Sequence, residues 1–219
     1  MSNDISYKLY IADDSEISKR KQKLYDRLKA NGHFVLKLPE NTAVTKSRNM
    51  LLDKVENEKY ILRMDDDFCF YEGTDIKAMI NILQSNKKIG AVADLEMQKG
   101  FGKGVVDGEI NKWQGFMKFE DEMLIKKYIK LDDFNYKDAN GYKYAFADFA
   151  RNMILFKKKV FKDIKWDENI NFDREHEDLM LQLKKSSWEL AFTPDSIHQH
   201  REDIENADEI KYSEEKKAH

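Results

Sequence analysis

The sequence predicts an α/β fold: a mainly parallel sheet flanked by helices, with a small antiparallel excursion. Three observations predict it. Short apolar runs alternate with amphipathic helical stretches from Tyr7 to Ala93, and that alternation builds parallel sheets with right-handed crossovers. Several runs stop abruptly in carboxylates, where open α/β sheets place their ligand crevice. The rhythm then breaks between Leu95 and Gly141, which hold Gly100, Gly102, Gly104, Gly108 and Gly115.

Tyr7–Ala12 reads as a first strand, with Ser15 as helix cap and Ser18 as a competing start. Ile17, Leu24, Tyr25 and Leu28 mark one helical face, which Asn31-Gly32 ends. His33–Leu38 is a short strand closed by Pro39, and a second helix carries Arg48 near its start. The run Tyr60-Ile61-Leu62-Arg63-Met64 ends in Asp65-Asp66-Asp67, the stretch around which the chain is organised. Asp75–Asn86 is helical by its spacing of Ile76, Met79, Ile80 and Leu83, and Ile89–Ala93 is a further strand. The excursion reads as a cover over the crevice with an antiparallel hairpin, its glycine cluster Lys99–Gly104 a mobile flap. Phe146–Phe156 returns to the core, Lys157–Ile164 is a short basic helix, and Leu179–Ser186 a longer one. Leu190-Ala191-Phe192 is a last strand. Residues 1–202 read as one domain and 203–219 as a charged tail or linker, with further domains expected after residue 219.

With 219 residues, 41% hydrophobic and 36% charged, the chain can build one substantial core. A net charge of −3 argues against a nucleic-acid partner. The lone Cys69 excludes a disulfide framework within the chain and, with no signal peptide or transmembrane segment in view, points to the cytoplasm.

Three adjacent carboxylates repel one another, and burying them unpaired is costly. A divalent cation with hard oxygen ligands, Mn²⁺ or Mg²⁺, would cancel that repulsion. Asp13-Asp14 and Glu175/Glu177-Asp178 form two further acidic clusters that a doubly wound sheet would bring to the same crevice. Arg48 at a helix start suits an anion or a base edge. His198 and His200 are read as facing opposite sides of an extended chain, so that one of them reaches a given metal. Trp113, Phe116 and Tyr142 suit either sugar stacking or core packing.

Five stretches, Ile11–Ser15, Lys46–Asn49, Leu62–Phe68, Arg174–Asp178 and Asp195–His200, together resemble the GT-A (Rossmann-like) glycosyltransferases, in particular the inverting family 2-like enzymes. The resemblance implies that Asp14 and Arg48 contact uracil and that Asp65 and Asp66 hold the ribose. It further implies that Asp67 and His200 ligate Mn²⁺ or Mg²⁺, that Asp178 is the general base, and that Asp148 and Asn152 lie near the donor sugar. The implied partners are a nucleotide-sugar donor, UDP-linked by preference, and a glycan or glycoconjugate acceptor. A metal-dependent phosphatase or nucleotidyltransferase, and a nucleotide-sugar-binding module without catalysis, are the rival readings. A phosphatase pattern expects Thr or Val soon after paired Asp, whereas Phe68-Cys69-Phe70 follow here.

Overall fold

The computed structural model describes residues 5–101, 108–110, 112–151, 153–171 and 173–203. Among them the chain forms a mixed α/β fold. Strand β1 (Tyr10–Asp13) pairs in parallel with β2 (Phe34–Lys37) as a separate two-stranded ribbon. Between them runs helix α1 (Lys19–Ala30). Ser18, and not Ser15, caps α1, accepting the Lys21 amide at 3.2 Å. Ser15 is drawn instead to Asp13, whose carboxylate takes its amide and hydroxyl at 2.9 and 2.5 Å. The sequence places Arg48 at a helix start, but helix α2 (Val44–Leu52) carries it mid-helix, so no helix N-terminus lies behind its guanidinium.

The central sheet has seven strands in the order β3 (Tyr60–Arg63), β10 (Ile154–Lys157), β5 (Ile89–Phe101), β11 (Glu189–Asp203), β9 (Tyr142–Ala147) and β8 (Lys137–Ala139). The two-residue β4 (Phe68–Cys69) adds to β11 at one side. The spine is the long parallel pair β5–β11; its other pairings are antiparallel. Lys99–Phe101, read from the sequence as part of a flap, continue β5, while residues 102–107 lie outside those described. The register between β5 and β11 shifts at Phe192/Ile197, where Thr193-Pro194-Asp195-Ser196 bulge out. Helix α3 (Ile76–Ser85), capped by Asp75 on the Ala78 amide, buries Ala78, Met79, Ile82 and Leu83 completely. Helix α4 (Glu175–Lys185) buries Leu179, Met180 and Leu183 in the core formed with Phe149, Phe156 and Phe192.

The excursion contains the expected antiparallel hairpin, β6 (Gly115–Glu120) with β7 (Met123–Tyr128). Gly115 sets its position. The Gly115 amide donates to the Phe149 carbonyl at 3.1 Å and its carbonyl accepts from Asp148 at 2.8 Å. A Cβ there would collide with the Lys127 carbonyl oxygen and approach the Phe149 ring. Because backbone on the paired strand cannot yield, Gly115→Ala should cost about 3 kcal/mol or more, read as a lower thermal midpoint; an unchanged midpoint would refute this anchoring.

Candidate functional site

Two contact routes join the Asp-rich turn to the first turn of α4. In the first, Arg48 reaches from α2 to Asp65 Oδ1 and Glu175 Oε1, each at 3.1 Å. Arg63, at the end of β3 and 7% exposed, donates to the same Asp65 oxygen at 2.7 Å and to His176 Nε2 at 3.1 Å. Burial, then Arg63, Arg48 and Arg151, push the His176 imidazole far below its ordinary value. It is therefore neutral and accepts a hydrogen bond from Arg63. Burial and the neighbouring Arg48 also bring Arg63 down to about 10, which leaves it charged at neutral pH. Buried Glu175 is thus compensated by guanidinium, as a buried carboxylate must be.

The second route starts at Asp67, whose Oδ2 lies 3.0 Å from His200 Nε2. His200 Nδ1 is 3.4 Å from Glu96, and Arg151 Nε is 3.5 Å from the same Glu96 oxygen. Arg151 and Lys126 both lie over the Trp113 ring, at 5.6 and 4.9 Å, and Lys126 pairs with Glu177 at 2.8 Å. Trp113 is therefore packed between cations and the edge of Phe149. Asp178, half-buried, follows Glu177 in α4's first turn and accepts from Gln182 at 2.6 Å. Asp173 and Arg174, which lead into this turn, both have left-handed φ, 66° and 69°. Such backbone conformations cost non-glycine residues about 1–3 kcal/mol each and cluster at functional sites.

Other residues marked from the sequence are placed differently. Asp13 is a structural knot: burial pushes its carboxyl up, but Ser15, Tyr25 and Lys21 hold it well below the carboxylate range. Asp14 follows at the strand's end, half-buried. Asp66 is exposed in the turn. Asp148 takes the Met117 amide at 2.8 Å and Lys184 at 2.5 Å, so it ties the hairpin to the last turn of α4. Asn152 lies outside the described residues.

Residues 4–165 match the family model described as glycosyl transferase family 2, more than half of the chain. The chain belongs to this family. No curated protein matches it. Among solved structures, GalNAc-T7 with UDP, GalNAc and Mn²⁺ is similar over 90% of this chain and 38% of that one, with TM-score 0.67 and 11% identity. TarS of S. aureus is similar over 89% of this chain and 31% of that one, with TM-score 0.51 and 14% identity. Its fragment 1–349 gives TM-score 0.54, again at 14% identity, over 89% of this chain and 51% of the fragment. The chain thus spans about a third to a half of these structures, and at such identities the likeness concerns the fold. No described helix is long and apolar enough to cross a membrane.

In this family 2 chain the two histidines do not face opposite sides. Residues two apart on a strand share a face, and both rings pack on Phe68, with centroids 4.4 and 5.2 Å away. They differ in depth. His198 is fully buried against Asp94 at 2.8 Å, whereas His200 is beside Asp67 at the rim. A carboxylate oxygen and an imidazole nitrogen suit Mn²⁺ or Mg²⁺ when phosphate oxygens and water complete the shell. Asp67 and His200 fit that role as a pair, although no group of three such ligands is gathered among the described residues. Asp94 and Glu96 were missed. The signal was present: Asp94, Glu96 and Gln98 alternate directly after an apolar strand, which puts three polar side chains on one face.

Burial lowers the His198 imidazole, but Asp94 and Glu96 outweigh it and raise it to about 9. Hydrogen bonds to Asp67 and Glu96 raise His200 to about 10, against its own burial. Burial pushes Asp94 up to about 6; Glu96 falls to about 2, because His198, His200 and Arg151 overcome its burial. A histidine raised above its unfolded value stabilises fully below that value and loses the contribution as pH climbs through the folded one. For the metal-free protein the loss spans from about 6.5 to 9 and 10. The thermal midpoint should fall more steeply over that window in the wild type than in His198→Gln. Parallel curves would sink the assignment.

Proposed function

We propose that the chain is the catalytic domain of an inverting, metal-dependent glycosyltransferase that moves a sugar from a nucleoside-diphosphate donor, by preference UDP-linked, to a hydroxyl of a glycan or glycoconjugate. One observation carries the reading: the Asp-rich turn and the first turn of α4, far apart in sequence, meet through Arg48, which touches Asp65 and Glu175 at 3.1 Å each. The UDP and Mn²⁺ of the GalNAc-T7 structure support the donor and metal classes.

On this reading Asp14, Asp65 and Asp66 hold the nucleoside. Both terminal nitrogens of Arg48 are already engaged by carboxylates, so it orients Asp65 besides any contact of its own with the base. Asp67 and His200 would hold a divalent cation, which when bound would supply Lewis-acid stabilisation of the leaving diphosphate's charge. Asp178 takes the acceptor hydroxyl proton as the oxygen attacks the anomeric carbon from the face opposite the diphosphate. The Lys126–Glu177 pair fixes the neighbouring residue and holds the hairpin over that face. The resemblance alone carries Asp148 and Asn152 near the donor sugar, and Asp148 also orders the hairpin.

Asp178→Asn should lower kcat by about 10²–10⁴ while the donor Kd, measured by calorimetry, stays unchanged; wild-type turnover would refute the base assignment. Asp67→Ala should abolish the Mn²⁺ dependence of UDP binding, and a retained dependence would remove Asp67 from the metal shell.

A further inference from the structure

At the other end of β3 the chain forms a groove of about 610 Å³ that the transferase reading leaves unused. Six lysines line it: Lys59, Lys157, Lys158, Lys159, Lys162 and Lys165. Asp53 is the one carboxylate among its lining residues. Leu52, Tyr60, Ile61 and Phe161 provide an apolar and aromatic floor. Tyr60 and Lys157 are paired at this end of the β3–β10 ladder, whereas Arg63, which leads into the Asp-rich turn, pairs with Ile154 at the other. The groove and the candidate active site therefore occupy opposite ends of one strand.

The positive charge is in large excess. None of the six lysines forms an ion pair with a carboxylate among the described residues. Lys157 Nζ donates to the carbonyls of Asn86 and Lys87 at 3.0 and 3.4 Å, and Lys158 Nζ to that of Glu56 at 2.7 Å. Lys159 lies over the Trp188 ring at 4.6 Å. Lys59, Lys162 and Lys165 are exposed. Burial and then the charge of Lys159 hold Lys157 below the ordinary lysine value, the mark of crowded cations. General basicity does not explain the cluster, since the whole chain carries −3. Clefts lined by one sign of charge focus the field and concentrate counter-ions.

We propose that this groove binds a soluble polyphosphorylated ligand, its phosphates on the lysines and any flat apolar body against Tyr60. The volume lies within the range of small-ligand pockets, about 300–1,000 Å³, and a concave wall lined by six lysines suits a compact anion. A bilayer, by contrast, meets a flat or convex face. The proposal is independent of the transferase reading, because it needs neither metal nor donor.

The test is calorimetric titration of the full chain with inorganic tripolyphosphate in EDTA, which removes metal-dependent binding at the Asp-rich turn. Binding should weaken as salt rises. The exposed double substitution Lys162→Glu/Lys165→Glu should weaken it about tenfold or more without shifting the thermal midpoint, and Asp67→Ala should leave it intact. A second pair, Lys59→Glu/Lys165→Glu, should act alike, which guards against misfolding of either variant. Absence of binding overturns the proposal, as does binding indifferent to both lysine pairs. Lysine-dependent binding confined to phosphatidylserine vesicles overturns it in favour of a membrane surface.

Discussion

Asp65 and Glu175 would repel one another across the crevice if Arg48 did not stand between them. Its guanidinium reaches Glu175, 127 positions further along the chain, and its planar fork can hold two carboxylates at once where a lysine ammonium is a single point charge. Arg63 adds a second, more deeply buried cation on the same Asp65 oxygen. Neutral His176 completes the arrangement by accepting from Arg63 without adding charge. The first turn of α4 can carry Glu175, Glu177 and Asp178 because the helix N-terminus and these cations offset their charge. The general base proposed at Asp178 inherits its place from that balance.

The parallel pair β5–β11 does for the opposite wall what Arg48 does for α4. Asp94 and Glu96 on β5 meet His198 and His200 on β11, alternating down one face. The inner pair, His198 with Asp94, is sealed from solvent and serves the sheet. The outer histidine reaches Asp67 through the β4–β11 pairing, where His200 stands opposite Phe68 and the Arg201 amide donates to the Asp67 carbonyl at 3.0 Å. Backbone pairing thus sets the spacing of the two proposed metal ligands, and Glu96, 3.4 Å from His200 Nδ1, backs the outer ring. The basic groove at the far end of β3 is the converse case: six lysines gathered with one carboxylate, Asp53, among them.

Much of this was legible before folding. The abrupt end of Tyr60–Met64 in three carboxylates is a period and composition signal, and so is the α3 face of Met79, Ile82 and Leu83. The hairpin inside the excursion was legible too. What failed did so for identifiable reasons. Ser15 lost the α1 cap because Asp13 competes for its hydroxyl and amide. The histidines were assigned to opposite faces although a two-residue step returns to the same face. Glu96 and Arg151 escaped notice because neither belongs to an acidic run, and their meaning comes from partners on other strands.

By itself the sequence determined the α/β class and marked where carboxylates cluster at the ends of apolar runs, since periodicity, caps and carboxylate runs are local properties. Only the tertiary structure decided which charges compensate one another: that Arg48 sits mid-helix between Asp65 and Glu175, that His198 is interior and His200 at the rim, and that Asp148 braces the hairpin. Electrostatic balance depends on distances between groups remote along the chain and on how much water is excluded around them, and neither quantity exists until the sheet has closed.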